Sequence, residues 1–226
     1  SGTDNLISAF PQLDPFRVEI AVGFILLLTI MNLRGVRESG AAFAIPTYLF
    51  MFGIYAMIFF AIWRFAQGEV VEAESAHWQI APEATFAGGA LIYLLARSFS
   101  SGTTALTGIE AISNGVPAFK KPKSTNAAKT LLMLGLIATS MFSGLTWLSV
   151  KLGVQVTESN EALIGLPEGQ QQKTVIAQVA NAVFSDFHAG FIFITATTAL
   201  ILALAANTAF NGFPVLGSIL ARDGYL

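Results

Sequence analysis

Cysteine is absent from the sequence, and histidine occurs only twice. The first absence excludes disulfides, thiolate metal sites and cysteine nucleophiles. The second leaves His77 and His188, which are too far apart in the chain to form a spaced metal motif and read as loop or helix-end residues. Charge is scarce as well: 12% of the residues are Asp, Glu, Lys or Arg, where a soluble globular chain carries about 25%. The net charge of -2 gives no basic balance that would argue for nucleic acid. The opening SGTDNLISAFPQLDPF has no basic stretch followed by an apolar core, so it is no signal peptide and reads as a loop. No nucleophile-base pair, metal cluster or phosphate loop is visible. Enzymatic activity, a cofactor and a metal site are therefore not expected.

What the sequence has instead is apolar length. Residues of the hydrophobic classes make up 54% and the mean hydropathy is +0.65, which places the chain in the bilayer as an all-α, polytopic membrane protein. Five segments approach the roughly 20 residues that a bilayer span requires. They run near Val18 to Leu33, Ala41 to Phe65, Thr85 to Phe119, Thr130 to Leu148 and Gly190 to Ala209, the first being short and carrying Asn32. None shows the polar stripe, repeating every 3.6 residues, of a soluble bundle helix.

Basic residues in the loops give an orientation, because Lys and Arg collect on the cytoplasmic side. Arg34, Arg37, Lys120, Lys121, Lys123, Lys129 and Arg222 follow the first, third and fifth spans; Arg17, Arg64, Lys151 and Lys173 lie at the other ends, among most of the acids. The residue 1 end is thus expected outside and the residue 226 end in the cytoplasm of a cell membrane. The loop Ala66 to Glu83, with Glu69, Glu72, Glu74 and Glu83, reads as a solvated acidic connection. In the loop 155–188, Val175, Ile176, Val179, Ala180, Val183 and Phe184 fall on one face at helical spacing. That pattern predicts an amphipathic helix on the outer mouth, serving either as a lid or as packing against the bundle rim.

The third span is interrupted. Ala96 to Asn114, ARSFSSGTTALTGIEAISN, sets two charges, seven hydroxyls and two glycines between apolar flanks. Glycine costs about 1 kcal/mol against alanine inside a helix, whereas hydroxyls satisfy backbone groups freed when a helix unwinds. The stretch is expected to break the helix 85–119, the device by which many secondary transporters hold a solute near the bilayer midplane. The alternative is a continuous helix whose small residues admit a close neighbour. On the first reading Gly102, Thr103, Thr104, Thr107 and Gly108 contact the solute, Glu110 is the proton-coupling group and Arg97 is a gating charge, since intramembrane charges are costly and usually functional. Near the inner end of the last span, Asn207 and Thr208 are second-helix candidates for a cation site; interhelical hydrogen bonding is the other use of such residues. Pro214 is expected to end or kink that helix. Pro46 removes one backbone bond from the second span and is assigned no site.

Three features carry a resemblance. Thr104 to Glu110 reads TALTGIE, Lys120 to Ala127 reads KKPKSTNA, and Asn207 is followed at Ala221 to Gly224 by ARDG. In that order and spacing they resemble the amino acid-polyamine-organocation permeases, whose sixth helix breaks before a Gly-x-Glu and is followed by a basic inner loop with a Lys-Pro step. The match runs from Phe86 to Leu226; the first two spans agree only in hydropathy. Ala128 stands where many members have proline, and Thr104 falls near the position of a gating aromatic in some amino acid antiporters. TALTGIEAISNGVPAF is more similar to the branch of proton-coupled potassium importers.

The resemblance implies a LeuT-type inverted-repeat fold of ten core helices, of which residues 1–226 would be a transmembrane fragment holding helices four to eight. The remainder of the polypeptide would supply the first and third helices and much of the site. The expected function is proton-coupled secondary transport of a small cationic solute, potassium ahead of an amino acid, because a dehydrated cation wants the hydroxyls and carbonyls this stretch offers. An amino acid permease and an ion channel are the competing readings. Lipid, proton and solute are the expected partners, and a homodimer is left open.

Overall fold

The computed structural model describes residues 2–33, 40–81, 88–103, 112, 116–157, 160–167, 170–222 and 224. Long apolar runs with no water to bond their backbone can only coil on themselves, and helices follow the apolar segments: α1 (Gly2–Ala9), α2 (Arg17–Leu33), α3 (Gly40–Ala66), α4 (Gly89–Gly102), α5 (Lys123–Lys151), α6 (Val175–Val183) and α7 (His188–Arg222). Among the described residues, Ala44–Ala66, Lys123–Lys151 and His188–Asn207 are long and apolar enough to cross a membrane. The 17 residues of α2 sit at the lower limit for a span. Two short strands, β1 (Gln79–Ile80) and β2 (Leu163–Ile164), pair antiparallel, with Gln79 opposite Ile164 and Ile80 opposite Leu163.

The chain divides into two units, residues 1–80 with 144–226, and residues 81–143. In the first, Ile54, Met57 and Ala61 recur at three- and four-residue steps along α3 and are fully buried. Close packing, rather than escape from water, holds such helices together in lipid. Small residues let them approach. A Cβ added at Gly53 would come within 3.0 Å of Ile194 and Phe193 on α7, and one at Gly144 within 2.5 Å of Ile58. Phe65 meets Trp147 edge to face at 6.0 Å, bringing the end of α5 onto α3.

Three expectations need correction. The opening residues are not a loop: Gly2–Ala9 is helical and packs along α7, with Asn5, Ile7 and Ser8 buried and Gly2 against Ala199 and Leu202. Burial of Ile7 and of small Ser8, with Gly2 in close approach to α7, outweighs a composition that suggested a loop. Of the two outcomes expected at Pro214, an end or a kink, the end does not occur, since the backbone continues helical to Arg222. Proline forfeits one backbone bond, and in a long membrane helix the neighbouring bonds outweigh that single loss. The connection after α3 is more than solvated, for Val71, Ala73 and Ser75 within it are buried.

The second unit contains α4, a 3-10 turn at Val116–Ala118 and the start of α5. The turn is tied to that start. Asn126 Nδ2 donates to Lys120 O at 2.9 Å and Lys123 Nζ to Pro117 O at 2.5 Å. These bonds explain why α5 begins at Lys123, seven residues before the apolar run: polar side chains of its first turn bind the carbonyls of the incoming loop.

Candidate functional site

The polar stretch begins on α4. Arg97 is exposed on this helix, as is every other described residue of α4. The helix ends at Gly102, where a Cβ would meet nothing within 4 Å, and Thr103 caps it with its N–H bonded to Phe99 O. Thr103 Oγ1 donates to Ser100 O at 2.6 Å, so this hydroxyl keeps a lone pair for another donor or a cation. Thr104, Thr107, Gly108 and Glu110 lie outside the described residues, as does the side chain of Thr208.

Asn207 belongs to the first unit. It is 6% exposed, and its Oδ1 accepts a hydrogen bond from Asn32 Nδ2 at 2.6 Å. Asn32 gives its second amide hydrogen to Leu28 O at 2.7 Å. An amide that looked out of place in an apolar span is thus the partner of another amide 175 residues away. Farther along α7, Thr195 and Thr197 return their hydroxyls to carbonyls of their own helix, at 2.9 Å to Phe191 and 2.7 Å to Phe193. Thr198 Oγ1 is shut off from solvent and makes no hydrogen bond.

A second polar region lies among the connections of the first unit, and residue types alone did not announce it. Gln178 on α6 is fully buried, with Oε1 accepting from Ser75 Oγ at 2.5 Å and Nε2 donating to Lys173 O at 3.0 Å. Thr174 caps α6 by accepting from Ala177 N, and its hydroxyl donates to Asn5 Oδ1 at 2.9 Å. Arg64, at the end of α3, grips the other end of α6. It donates to Ala182 O, Val183 O and Ser185 Oγ, and pairs with Glu69 at 2.5 Å. A cation on the last carbonyls of a helix also meets the negative end of its dipole. The visible signal was a buried-face glutamine among the apolar positions of α6.

A cavity of about 900 Å³ opens in this region, lined in part by Asp14, Arg17, Glu74, Gln171 and Lys173. Arg17 bonds both Asp4 and Gln171, at 2.5 and 2.9 Å, while Lys173 pairs with Glu74. Partial burial works against the Asp4 carboxylate, while the Arg17 guanidinium beside it favours the charged form.

The amino acid permease sequence profile matches residues 2–226. The chain belongs to the amino acid permease family. Along its whole length of 226 residues it is also 38% identical to the potassium transporter KimA of Bacillus subtilis (strain 168). It spans about a third, 34%, of the length of that curated relative. The permease membership, the helical content and the candidate spans together make this a multi-pass membrane protein and a partial permease fold, as the apolar segments suggested.

Proposed function

We propose that this chain is part of a proton-coupled secondary transporter that imports potassium. The carrying observation is the 38% identity over all 226 residues to a protein described as a potassium transporter. The chemistry of the polar stretch agrees with that reading. Thr103, Thr104 and Thr107 offer hydroxyl oxygens, and backbone carbonyls released beside Gly102 and Gly108 would add more, the ligands a dehydrated monovalent cation requires. Glu110 takes up and releases the coupled proton. Arg97 is the gating charge, tolerated in the membrane because it faces water or a counter-charge. The residue 1 end lies outside and the residue 226 end in the cytoplasm, as the basic loops dictate. Transport of a solute, with no bond made or broken in it, also means that the protein is not an enzyme.

The family description supports a second reading, an amino acid permease. Half-helix ends at Gly102 and Gly108 would then hold the carboxylate and ammonium groups of the substrate. Uptake by the full-length protein in proteoliposomes, under an inward proton gradient, decides between the two. Labelled potassium should accumulate and saturate while labelled amino acids do not. Amino acid accumulation would replace the first reading with the second, and non-saturating currents at channel rates would reject both.

A further inference from the structure

Connections between membrane spans are ordinarily held loosely by water, but those of the first unit are fastened to one another along their length. Ala73 N donates to Leu152 O at 2.9 Å, Gln155 N to Ser75 Oγ at 2.8 Å, and the β1–β2 pair continues the seam. Gln172 Nε2 donates to Thr157 O at 2.6 Å while its Oε1 accepts from Thr157 N at 3.1 Å, closing the later connection on itself. From the opposite side, Ser8 Oγ accepts from Thr174 N at 3.2 Å and Arg17 reaches Gln171.

We infer that residues 2–17, 67–80, 152–157 and 160–187 with their described members form one fixed clasp, and that α6 is part of its frame and no lid that swings during each cycle. The part of this inference that concerns a cycle rests on the transport reading; the clasp itself does not. For α6 to swing away, three kinds of contact would have to break together. Gln178, fully buried, would lose partners for both ends of its amide, which is costly wherever water does not replace them at once. Arg64, whose side chain is only 11% exposed, would lose its carbonyl partners on α6. Val179, Ala180 and Val183, each fully buried, would be uncovered. At the C-terminal end, Phe184 stacks on Phe60 of α3 at 5.5 Å and lies edge-on to Phe187 at 6.3 Å. Helix α6 is therefore anchored at its start by α1, in its middle by the 67–80 connection and at its end by α3. A hinge needs one end free, and here neither is. Whatever admits solute from that side of the membrane moves outside the clasp, or carries the whole clasp with it.

Gln79 and Ile164 offer the test, being directly opposed in the antiparallel pair and exposed. Opposed residues in such a pair have Cα atoms about 4.5 to 5.5 Å apart, inside the roughly 4.4 to 6.8 Å that a disulfide spans. The chain has no cysteine of its own to compete. In the full-length protein carrying Gln79→Cys and Ile164→Cys, with each single variant as control, oxidation should form the cross-link, read as a gel shift, and potassium uptake should stay within threefold of the reduced form. A larger loss that reductant reverses overturns the inference, because it means the seam opens in each cycle. A pair that does not cross-link overturns it too, since the seam is then not closed. Amide exchange on the unmutated protein gives a reading that needs no transport: α6 should exchange as slowly as the α3 segment around Ile54, with and without potassium chloride. Fast exchange in α6 would refute the clasp, whereas slow exchange with no uptake of potassium by the unmutated protein would leave the clasp standing and refute the potassium reading alone.

Discussion

Replacing Gln178 should loosen α6 by an amount that its contacts set. The side chain is fully buried and its amide is bonded at both ends, to Ser75 and to Lys173 O. Two buried hydrogen bonds contribute about 1 kcal/mol each, and truncation to alanine also removes a buried methylene worth about 0.8 kcal/mol. Gln178→Ala should therefore favour local opening by about 3 kcal/mol, the sum of those contributions. Methionine has nearly the same length and fills the same space without the amide. Gln178→Met should consequently cost about 2 kcal/mol, the hydrogen-bond part alone. Every 1.4 kcal/mol is about a tenfold change in an equilibrium. Native-state amide exchange should thus quicken in α6 by roughly a hundredfold for alanine and by some thirtyfold for methionine, while helices α3 and α7 change little. Ser75 would keep its bond from Gln155 N in both variants, so the rest of the seam is preserved. If Gln178→Met exchanges like the unmutated protein, the amide bonds contribute nothing and Gln178 is only a space-filling residue. If α3 quickens equally, the opening is global and the reasoning from local contacts is wrong.

Asn32→Ala and Asn207→Ala should each destabilise the α2–α7 contact, and a double-mutant cycle should give a coupling of about 0.6 kcal/mol, the average for such pairs in membranes; a cation role for Asn207 would show instead as loss of uptake in the Asn207 variant alone. Arg97→Leu should raise the insertion efficiency of the third span, since arginine at a helix centre costs about 2.5 to 3.5 kcal/mol on insertion scales, and yet impair uptake; normal uptake would make Arg97 a passenger. Glu110→Gln keeps shape and most hydrogen bonding, so it should abolish the dependence of uptake on the proton gradient while the protein still reaches the membrane, and unchanged pH dependence would reduce Glu110 to a structural role. Gly53→Val should crowd Ile194 and Phe193 and cost about 1 to 3 kcal/mol as overpacking does, seen as a lower thermal midpoint; an unchanged midpoint would mean that α3 and α7 have room to separate.

The membrane helices were legible because the signal that builds them is coarse. Apolar runs near Ala41 to Phe65 and Gly190 to Ala209 became α3 and α7, although α7 runs on to Arg222 and α5 starts early at Lys123. In the connection before the last span a helix does form where the spacing placed one, with Val179, Ala180 and Val183 buried, but Ala177, Gln178 and Ala182 are buried too, so its covered surface is wider than the predicted face. The long-range polar pairings were not legible. Nothing local in Asn32 points to Asn207, nor in Ser75 to Gln178, because a hydrogen bond depends on which helices become neighbours. Arg64 shows the limit most plainly. As one basic residue at a span end it counted only toward orientation, while in the fold it binds the closing carbonyls of a helix more than a hundred residues later.

The two units differ in how much of their polar surface is exposed. In the first, buried amides and hydroxyls find partners across distant segments, so that among its described residues only Asp14 Oδ1 and Thr198 Oγ1 are left buried without one. In the second, α4 is exposed throughout and yet carries Arg97 and a run of hydroxyls. At about 1.5 Å per residue its 14 residues span about 21 Å, less than the roughly 30 Å of a bilayer's hydrocarbon core. Lipid cannot supply hydrogen bonds to the carbonyls of its last turn, nor shelter a guanidinium on its flank. That surface therefore calls for protein or water beside it wherever it lies at membrane depth.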